Sequence, residues 1–455
     1  MSSEPNAQSF PALTLVDSAR PEPTPEPTAE PVEAAPRWGL AKRVVFRFAF
    51  CYLLLYNLPF PLSHVPYVDA LIYPPLGAFW NFLVYAVGDQ VFGVDITVQP
   101  NGSGDTTWNY VQVFCILILS LAATAIWTFL DRRRPHYARL DDWLRVYVRF
   151  ALALTLLSYG AIKVIPSQFP APSLDRLIQP YGDSSPMGIL WTFMGASTAY
   201  VIFSGACEML GGLLLAARRT MLLGALVSAG VMLNVVVLNF CYDVPVKLYS
   251  SHLLLMAVFL TLPYLRQLTD LLVLNRRPEP VEIRPLFRRK WLHRGALALR
   301  TVFLFGWTGV LLYQAYEGSK EYGFLAPKPP LYGIWTVDQL EMDGVVRPPL
   351  ITDESRWRRL VFGYPGGVSI QLMNDSRQRY RITLDPDKKL LNLTKRDDAQ
   401  WKTSLSYSQP GPKQLVVEGM FDGHKIRARL HRQDENDFLL INRGFRWINE
   451  YPHNR

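Results

Sequence analysis

The sequence has few cysteines and lacks the patterns in which cysteine binds metal or exchanges disulfides. Cys51, Cys115, Cys207 and Cys241 each lie alone within or at the end of an apolar run. None belongs to a C-x-x-C pair or has a histidine at metal-ligand spacing. A zinc site and a thioredoxin-like redox pair are therefore disfavoured, and we predict no metal site.

The motifs of familiar soluble enzymes are also missing. There is no P-loop, no G-x-S-x-G and no H-E-x-x-H, and Gly102-Ser103-Gly104 follows no strand, as a dinucleotide-binding loop would. The net charge of +9 does not indicate a nucleic-acid partner, because the basic residues stand mostly between apolar runs, where loop charge is the simpler cause.

Charged residues make up only 19% of the chain, whereas 49% is hydrophobic. The apolar residues are concentrated in runs that approach or reach the roughly 20 residues needed to span a bilayer. We predict seven membrane spans, which excludes a wholly soluble protein. They fall near residues 44–60, 110–130, 146–165, 199–217, 220–241, 252–265 and 296–313.

We expect no cleavable signal peptide at the start of the sequence. Residues 1–36 are polar and repeat Pro, Glu and Thr between Glu22 and Glu33, a composition that cannot bury an apolar core. We predict a disordered cytoplasmic tail, followed by a multi-span membrane domain over residues 37–318.

Orientation follows from the basic residues, because Lys and Arg are enriched in short cytoplasmic loops. Dense clusters surround Arg43, Arg132–Arg134, Arg218–Arg219 and the stretch 266–294, whereas residues 60–109 hold no Lys or Arg. Seven spans with a cytoplasmic N-terminus place every cluster inside. The prediction is a multi-pass protein of the cell membrane with its C-terminal domain periplasmic or extracellular.

One further apolar stretch, Leu76–Phe92, would reverse this topology if it crossed the membrane. It is short and contains Asn81, Asp89 and Gln90, and the pair Pro74-Pro75 precedes it. Because proline interrupts the helical hydrogen-bond ladder, we predict an interfacial or re-entrant helix here instead of a crossing.

After Tyr316 the pattern changes to short alternating runs separated by turn residues. Val368–Leu372, Tyr380–Leu384 and Lys425–Leu430 alternate in this way, and Asp422-Gly423 is a typical hairpin turn. About eight such strands predict a closed antiparallel β-barrel over residues 325–455.

The two ends of this region are similar to the lipocalin pattern. Gly333-Ile334-Trp335 opens it, and Arg443 and Arg446 come late. In lipocalins an N-terminal Trp packs beneath the barrel and is covered by an Arg from the last strand. The resemblance therefore implies that Arg443 or Arg446 covers Trp335.

Ionisable residues inside membrane spans are costly, and each is a candidate for function. Lys163 ends the third predicted span, Glu208 lies in the middle of the fourth, and His252 opens the sixth. We predict that these three form a polar cluster with a catalytic role. The structural alternatives are a Glu208 pair that fixes helix register, a Lys163 that extends to the interface, and a simply hydrogen-bonded His252.

Other polar residues near these positions are candidate ligand-binding groups. Asn234 and Asn239 could equally be hydrogen-bonding contacts between helices, and Asp243 with Lys247 a solvated loop pair. The predicted ligand-binding residues are Tyr159, Gln168, Asn234, Asn239, Asp243 and Lys247.

The block 105–274 resembles the DoxX-like family of small four-helix membrane proteins. The resemblance rests on Tyr159-Gly160 with Lys163, on Glu208 followed by Gly211-Gly212 and a leucine run, and on Arg218-Arg219-Thr220. Members of that family are associated with membrane oxidoreductase complexes, including quinone-linked sulfur oxidation and oxidative-stress assemblies.

The resemblance implies a subunit of a quinone-linked or thiol-linked membrane redox process. Its partners would be the lipid bilayer, a membrane quinone and a partner oxidoreductase, with quinone as the possible cofactor. Two alternatives from other classes stay open. One is a transport or binding protein whose barrel captures an apolar ligand, and the other is a scaffold that anchors a partner enzyme.

Overall fold

The computed structural model describes residues 37–65, 67–97, 102–278, 289–398 and 400–454. The predicted tail, residues 1–36, lies outside the described residues. The helices are α1 (Leu40–Tyr56), α2 (Val68–Val87), α3 (Thr107–Leu130), α4 (Ala138–Val164), α5 (Leu174–Leu177), α6 (Pro186–Gly195), α7 (Thr198–Ala216), α8 (Met221–Cys241), α9 (Lys247–Thr261), α10 (Leu265–Leu272), α11 (Lys290–Tyr322) and α12 (Leu439–Asn442).

Seven helices in the described parts of the chain are long and apolar enough to cross a membrane. Each predicted apolar run coincides with a helix, and the prediction of a helical membrane bundle followed by a β-barrel is confirmed. The membership of the seven differs from the prediction at one point. The set includes the helix Val68–Phe92 and does not include α1, which has only 17 residues. In this set α9 and α10 count as one helix, Lys247–Leu272.

The bundle has two distinct ends. At the arginine-rich end, the Trp38 amide donates to the Pro135 carbonyl over 3.0 Å, and the Arg43 guanidinium donates to the carbonyls of Arg132 and Arg134. At the opposite end, which we call the barrel end, the Gly104 amide donates to the Pro245 carbonyl over 2.8 Å.

The predicted break before Leu76–Phe92 is wrong, because α2 runs continuously through Pro74 and Pro75 and continues in a π-helical turn to Phe92. The fixed φ of proline suits a helix, and the loss of two amide donors is local.

The contacts of α2 nevertheless keep it near the barrel end. Asn81 accepts from the Trp108 indole at 3.1 Å, and the Phe92 ring lies 5.0 Å from that of Phe114. Residues 38 and 104 lie at opposite ends of the bundle, so α1 and α2 do not both traverse it.

Helices α4 and α7 pack closely against each other. A methyl group on Gly205 would lie 2.7 Å from the Gly160 carbonyl oxygen, and one on Gly212 would lie 2.8 Å from the Ala153 carbonyl oxygen. Gly211 faces Ser228 of α8 instead. Small residues let the two backbones approach within the range that only glycine permits.

The C-terminal region is a sheet of nine antiparallel strands. Eight of them follow each other in chain order and close into a barrel through pairing of β1 with β9, while β2 extends β1 as a short hairpin. The strands are β1 (Gly333–Met342), β2 (Val345–Arg347), β3 (Trp357–Tyr364), β4 (Gly367–Leu372), β5 (Arg377–Asp385), β6 (Leu390–Lys395), β7 (Lys402–Gly411), β8 (Gln414–Phe421) and β9 (His424–Gln433).

Side chains fill the interior of this barrel. Trp335, Trp357 and Phe362 are each 1% exposed and belong to one continuous apolar core. The turn Asp422-Gly423 has positive φ at both residues, as a two-residue hairpin requires. The alternating pattern of the sequence therefore corresponds to inward and outward positions of a packed barrel.

The expected arginine cover of Trp335 is not present. The Trp335 indole donates to the Leu331 carbonyl at 2.9 Å, while Arg443 donates to Asn449 and Arg446 is exposed. Both arginines lie beyond the end of β9 at Gln433, where the chain has already left the barrel wall.

The barrel packs against the segment that joins α4 to α7. Leu174 of α5 is 3% exposed and contacts Ile334 of β1 and Val361 of β3, whose side chains point out of the barrel. Residues 165–197, which we call the linking segment, therefore connect the barrel to the bundle.

We expect residues 325–455 to fold without the membrane domain, because the barrel core is complete within them. The isolated fragment should show a β-type circular dichroism spectrum and a cooperative thermal transition. Trp335→Ala should lower the free energy of unfolding by about 3–5 kcal/mol through the cavity that it leaves. The matched control Trp447→Ala, at a side chain 91% exposed, should leave the midpoint unchanged. A disordered fragment would contradict the prediction.

Candidate functional site

The bundle contains a partly open cavity of about 340 Å³ near the barrel end. Helices α4, α7, α8 and α9 form its walls, and the linking segment covers it with α6 and Phe169. Its size is at the lower end of the range for small-molecule sites, enough for a ring-sized headgroup.

Lys163 and Glu208 form an ion pair in the wall of this cavity. The Lys163 ammonium lies 2.6 Å from Glu208 Oε1 and 2.7 Å from Oε2, and the two side chains are 9% and 3% exposed. The glycine contact between α4 and α7 brings them together, since Gly205 packs directly against the base of the Lys163 side chain. Two charges that would each be costly in a membrane therefore neutralise each other.

Four of the six predicted ligand-binding residues line the same cavity: Tyr159, Gln168, Asn234 and Asn239. Asn239 donates to the Ser250 hydroxyl at 3.0 Å. The buried Gln168 Oε1 has no hydrogen-bond partner among the described residues. A buried acceptor without a donor is costly, and a hydroxyl or water in the cavity would satisfy it.

The outer wall of the cavity is one helix thick. Helices α7 and α8 pack closely at the arginine-rich end, where Gly224 meets Leu215. Nearer the barrel end both line the cavity, through Ser204 and Asn234. Phe203 and Leu233, beside these residues, are 63% and 54% exposed on the outside of the bundle.

His252 does not join the cluster, and the predicted grouping of three residues is wrong on this point. Its Nε2 lies 2.7 Å from the Tyr52 hydroxyl, its Nδ1 lies 2.7 Å from the Leu248 carbonyl oxygen, and its ring stacks on Tyr56 at 3.9 Å. The neighbouring Leu253 lines the cavity. One residue turns about 100° around a helix, so His252 faces α1 instead.

Asp243 and Lys247 also lie outside the cavity lining. They pair with each other at 2.8 Å, and the Asp243 side chain is 85% exposed. Asp105 accepts from the amides of Lys247 and Leu248, at 2.7 and 3.0 Å, and thereby caps α9. These groups hold the loops of the barrel end together.

Sequence reasoning missed the apolar cover of the cavity. Met187, Leu190, Trp191 and Met194 of α6 all line it, and Ser185 caps that helix by accepting from the Gly188 amide. The spacing of Met187 with Trp191 and of Leu190 with Met194 indicates one helical face. Nothing in that pattern distinguishes a ligand cover from ordinary core packing.

Fold and site together define a multi-span membrane protein with a ligand-sized cavity and an appended β-barrel. No family model matches the chain, and no solved structure matches it. Over 143 residues, 31% of this chain and 87% of the relative, it is 31% identical to the uncharacterized protein YwoB of Bacillus subtilis (strain 168). Across that portion the chain belongs to the same family as YwoB.

We expect that loss of either charge of the ion pair destabilises the protein more than loss of both. Glu208→Gln or Lys163→Met alone leaves one buried charge unpaired and should cost about 3–5 kcal/mol. The double variant removes both charges and should recover most of that loss. Thermal unfolding of the purified protein in detergent measures both effects.

The matched control is Asp243→Asn, which removes an exposed ion pair and tolerates the positive φ of that position. It should change stability by less than about 1 kcal/mol. If the single variants unfold at the same temperature as this control, the pair makes no net contribution.

Proposed function

We propose that the membrane domain binds a lipid-soluble quinone in the cavity beside Lys163 and Glu208. In this role the protein is the membrane subunit of a redox process, as the resemblance to the DoxX-like family suggests. The observation that supports it best is a buried ion pair that borders an apolar, ring-sized cavity. One helix separates this cavity from the outer surface of the bundle.

The polar groups suit both forms of a quinone. The Lys163 ammonium is a hydrogen-bond donor for the carbonyl oxygen of the oxidised ring. The unpaired Gln168 Oε1 and the Glu208 carboxylate are acceptors for the hydroxyls of the reduced ring. Interconversion of the two forms moves two electrons and two protons, and the electrons are exchanged with a partner oxidoreductase.

The aromatic and thioether side chains suit the rest of such a ring. Tyr159 and Tyr249 lie 6.0 Å apart between ring centroids, and Trp191 and Met194 line the same cavity. Flat aromatic and polarizable side chains pack well against a planar ligand.

Thiol chemistry has less support than quinone binding. The four cysteines are free, and none of them lines the cavity. Cys207 precedes Glu208 in α7 and therefore points about 100° away from it around the helix. A thiol-linked process at this site would need a cysteine from a partner.

Capture of an apolar ligand inside the barrel also has less support, because side chains fill the barrel core. A ligand there would have to displace residues such as Trp335 and Trp357, both 1% exposed. The scaffold alternative leaves the unpaired Gln168 oxygen and the cavity itself without a role.

Quinone binding can be tested on the full protein purified in mild detergent. Organic extracts analysed by mass spectrometry should contain quinone in a defined ratio to protein. Decylubiquinone should bind the quinone-depleted protein, as measured by a shift in thermal unfolding. Loss of hydrogen bonds to a charged group should weaken its binding about 10- to 100-fold in the Lys163→Met/Glu208→Gln double variant.

The double variant avoids an unpaired buried charge, so a loss of binding is not merely a loss of fold. Asp243→Asn should bind like the unchanged protein. Absence of quinone from the extract, together with equal decylubiquinone affinity in all three proteins, would contradict the proposal.

The orientation that we propose follows the basic residues. The clusters at Arg43, Arg132–Arg134 and Arg218–Arg219 lie at one end of the bundle. At the barrel end, the linking segment contains only Arg176, and residues 102–106 and 242–246 contain no Lys or Arg. By the positive-inside rule, the arginine-rich end is cytoplasmic and the barrel is outside.

A reporter that is active only outside the cytoplasm should therefore work when it is fused after Arg455. The same reporter in the loop at Arg133 should be inactive, and this fusion is the matched control. A cytoplasm-only reporter that is active after Arg455 and inactive at Arg133 would invert the proposed orientation while leaving the fold unchanged.

A further inference from the structure

The segment after the barrel exposes large apolar side chains. Phe445, Trp447, Ile448 and Tyr451 are 79%, 91%, 77% and 83% exposed. Four such residues within seven positions exceed the scattered apolar exposure of an ordinary soluble surface. Such a cluster indicates a partner that removes these side chains from water.

The location of this segment restricts the partner. Just before it, Phe438 packs into the contact between the barrel and α5, beside Leu174. Helix α5 belongs to the linking segment, which joins the ends of two membrane-spanning helices. The segment from Leu439 onward therefore leaves the barrel next to the barrel end of the bundle, close to the membrane surface.

The composition fits a lipid surface. Trp and Tyr are enriched at the headgroup level of membranes, where their rings have one apolar and one polar side. Arg443 and Arg446 stand among these residues with a single acid, Glu450. Arginine at this depth can pair with lipid phosphates while its stem stays in the apolar boundary.

We propose that residues 439–451, which we call the barrel tail, lie in the surface of the bilayer at the barrel end. The aromatic and aliphatic side chains enter the boundary between headgroups and acyl chains, and the two arginines contact phosphates. The barrel is then attached to the membrane twice, through the chain that leaves α11 and through its own tail. This inference does not depend on quinone binding.

The test uses the full chain in lipid nanodiscs of phosphatidylcholine and phosphatidylglycerol. A nitroxide is attached at Ile448→Cys in a background where the four native cysteines are alanine. The matched control is Lys425→Cys, an exposed site at the other end of β9, about 26 Å along the strand from Gln433. Collisions with apolar oxygen and with a water-soluble nickel complex are measured at both sites.

We expect oxygen collisions to be severalfold more frequent than nickel collisions at residue 448, and the reverse at residue 425. Equal nickel access at both sites would overturn the proposal, because the tail would then be in water. Exclusion of both reagents at residue 448 would also overturn it, because the tail would then be packed on protein.

A second measurement does not need the cysteine-free background. Trp447→Phe, at an exposed position, should retain the fold. The fluorescence difference between the unchanged protein and this variant isolates Trp447, and brominated lipid should quench that difference strongly. A difference spectrum that brominated lipid leaves unchanged would overturn the proposal independently.

Discussion

The close approach of α4 and α7 is the constraint on which the membrane domain depends. A lysine and a glutamate can lie at this depth only if each neutralises the other, since an isolated charge in a bilayer costs several kcal/mol. Gly160 and Gly205 permit the backbone contact that places Nζ 2.6 Å from Oε1. The pair in turn provides the polar wall of a cavity that is otherwise mostly apolar.

Much of the fold could be predicted because membrane spans and barrel strands follow simple periodic rules. Run length located the helices, and alternation located most of the strands. The strands β6 and β7 were not predicted individually. In β7 only Leu405 is buried, and in β6 the adjacent leucines Leu390 and Leu391 obscure the period of two. Residue types alone do not reveal that α2 continues through Pro74-Pro75.

The charged residues of the candidate site could be predicted, because a charge inside a membrane span has a high free-energy cost. Lys163 and Glu208 are candidates because a charged residue in a membrane span needs a partner of opposite charge. His252 was grouped with them through its chemistry, but its direction depends on the rotation of α9, which only the packing against Tyr52 and Tyr56 determines. The apolar cover from α6 could not be predicted, because its spacing equals that of any buried helix face.

The linking segment contacts both the cavity and the barrel, so movement at one contact affects the other. Its α6 half closes the cavity, and its α5 half supports the barrel through Leu174. A molecule that entered by lifting this cover would also have to do work against the barrel contact. A path from the lipid acyl chains between α7 and α8 would leave that contact unchanged. Entry from the lipid would therefore cost less free energy than entry from water.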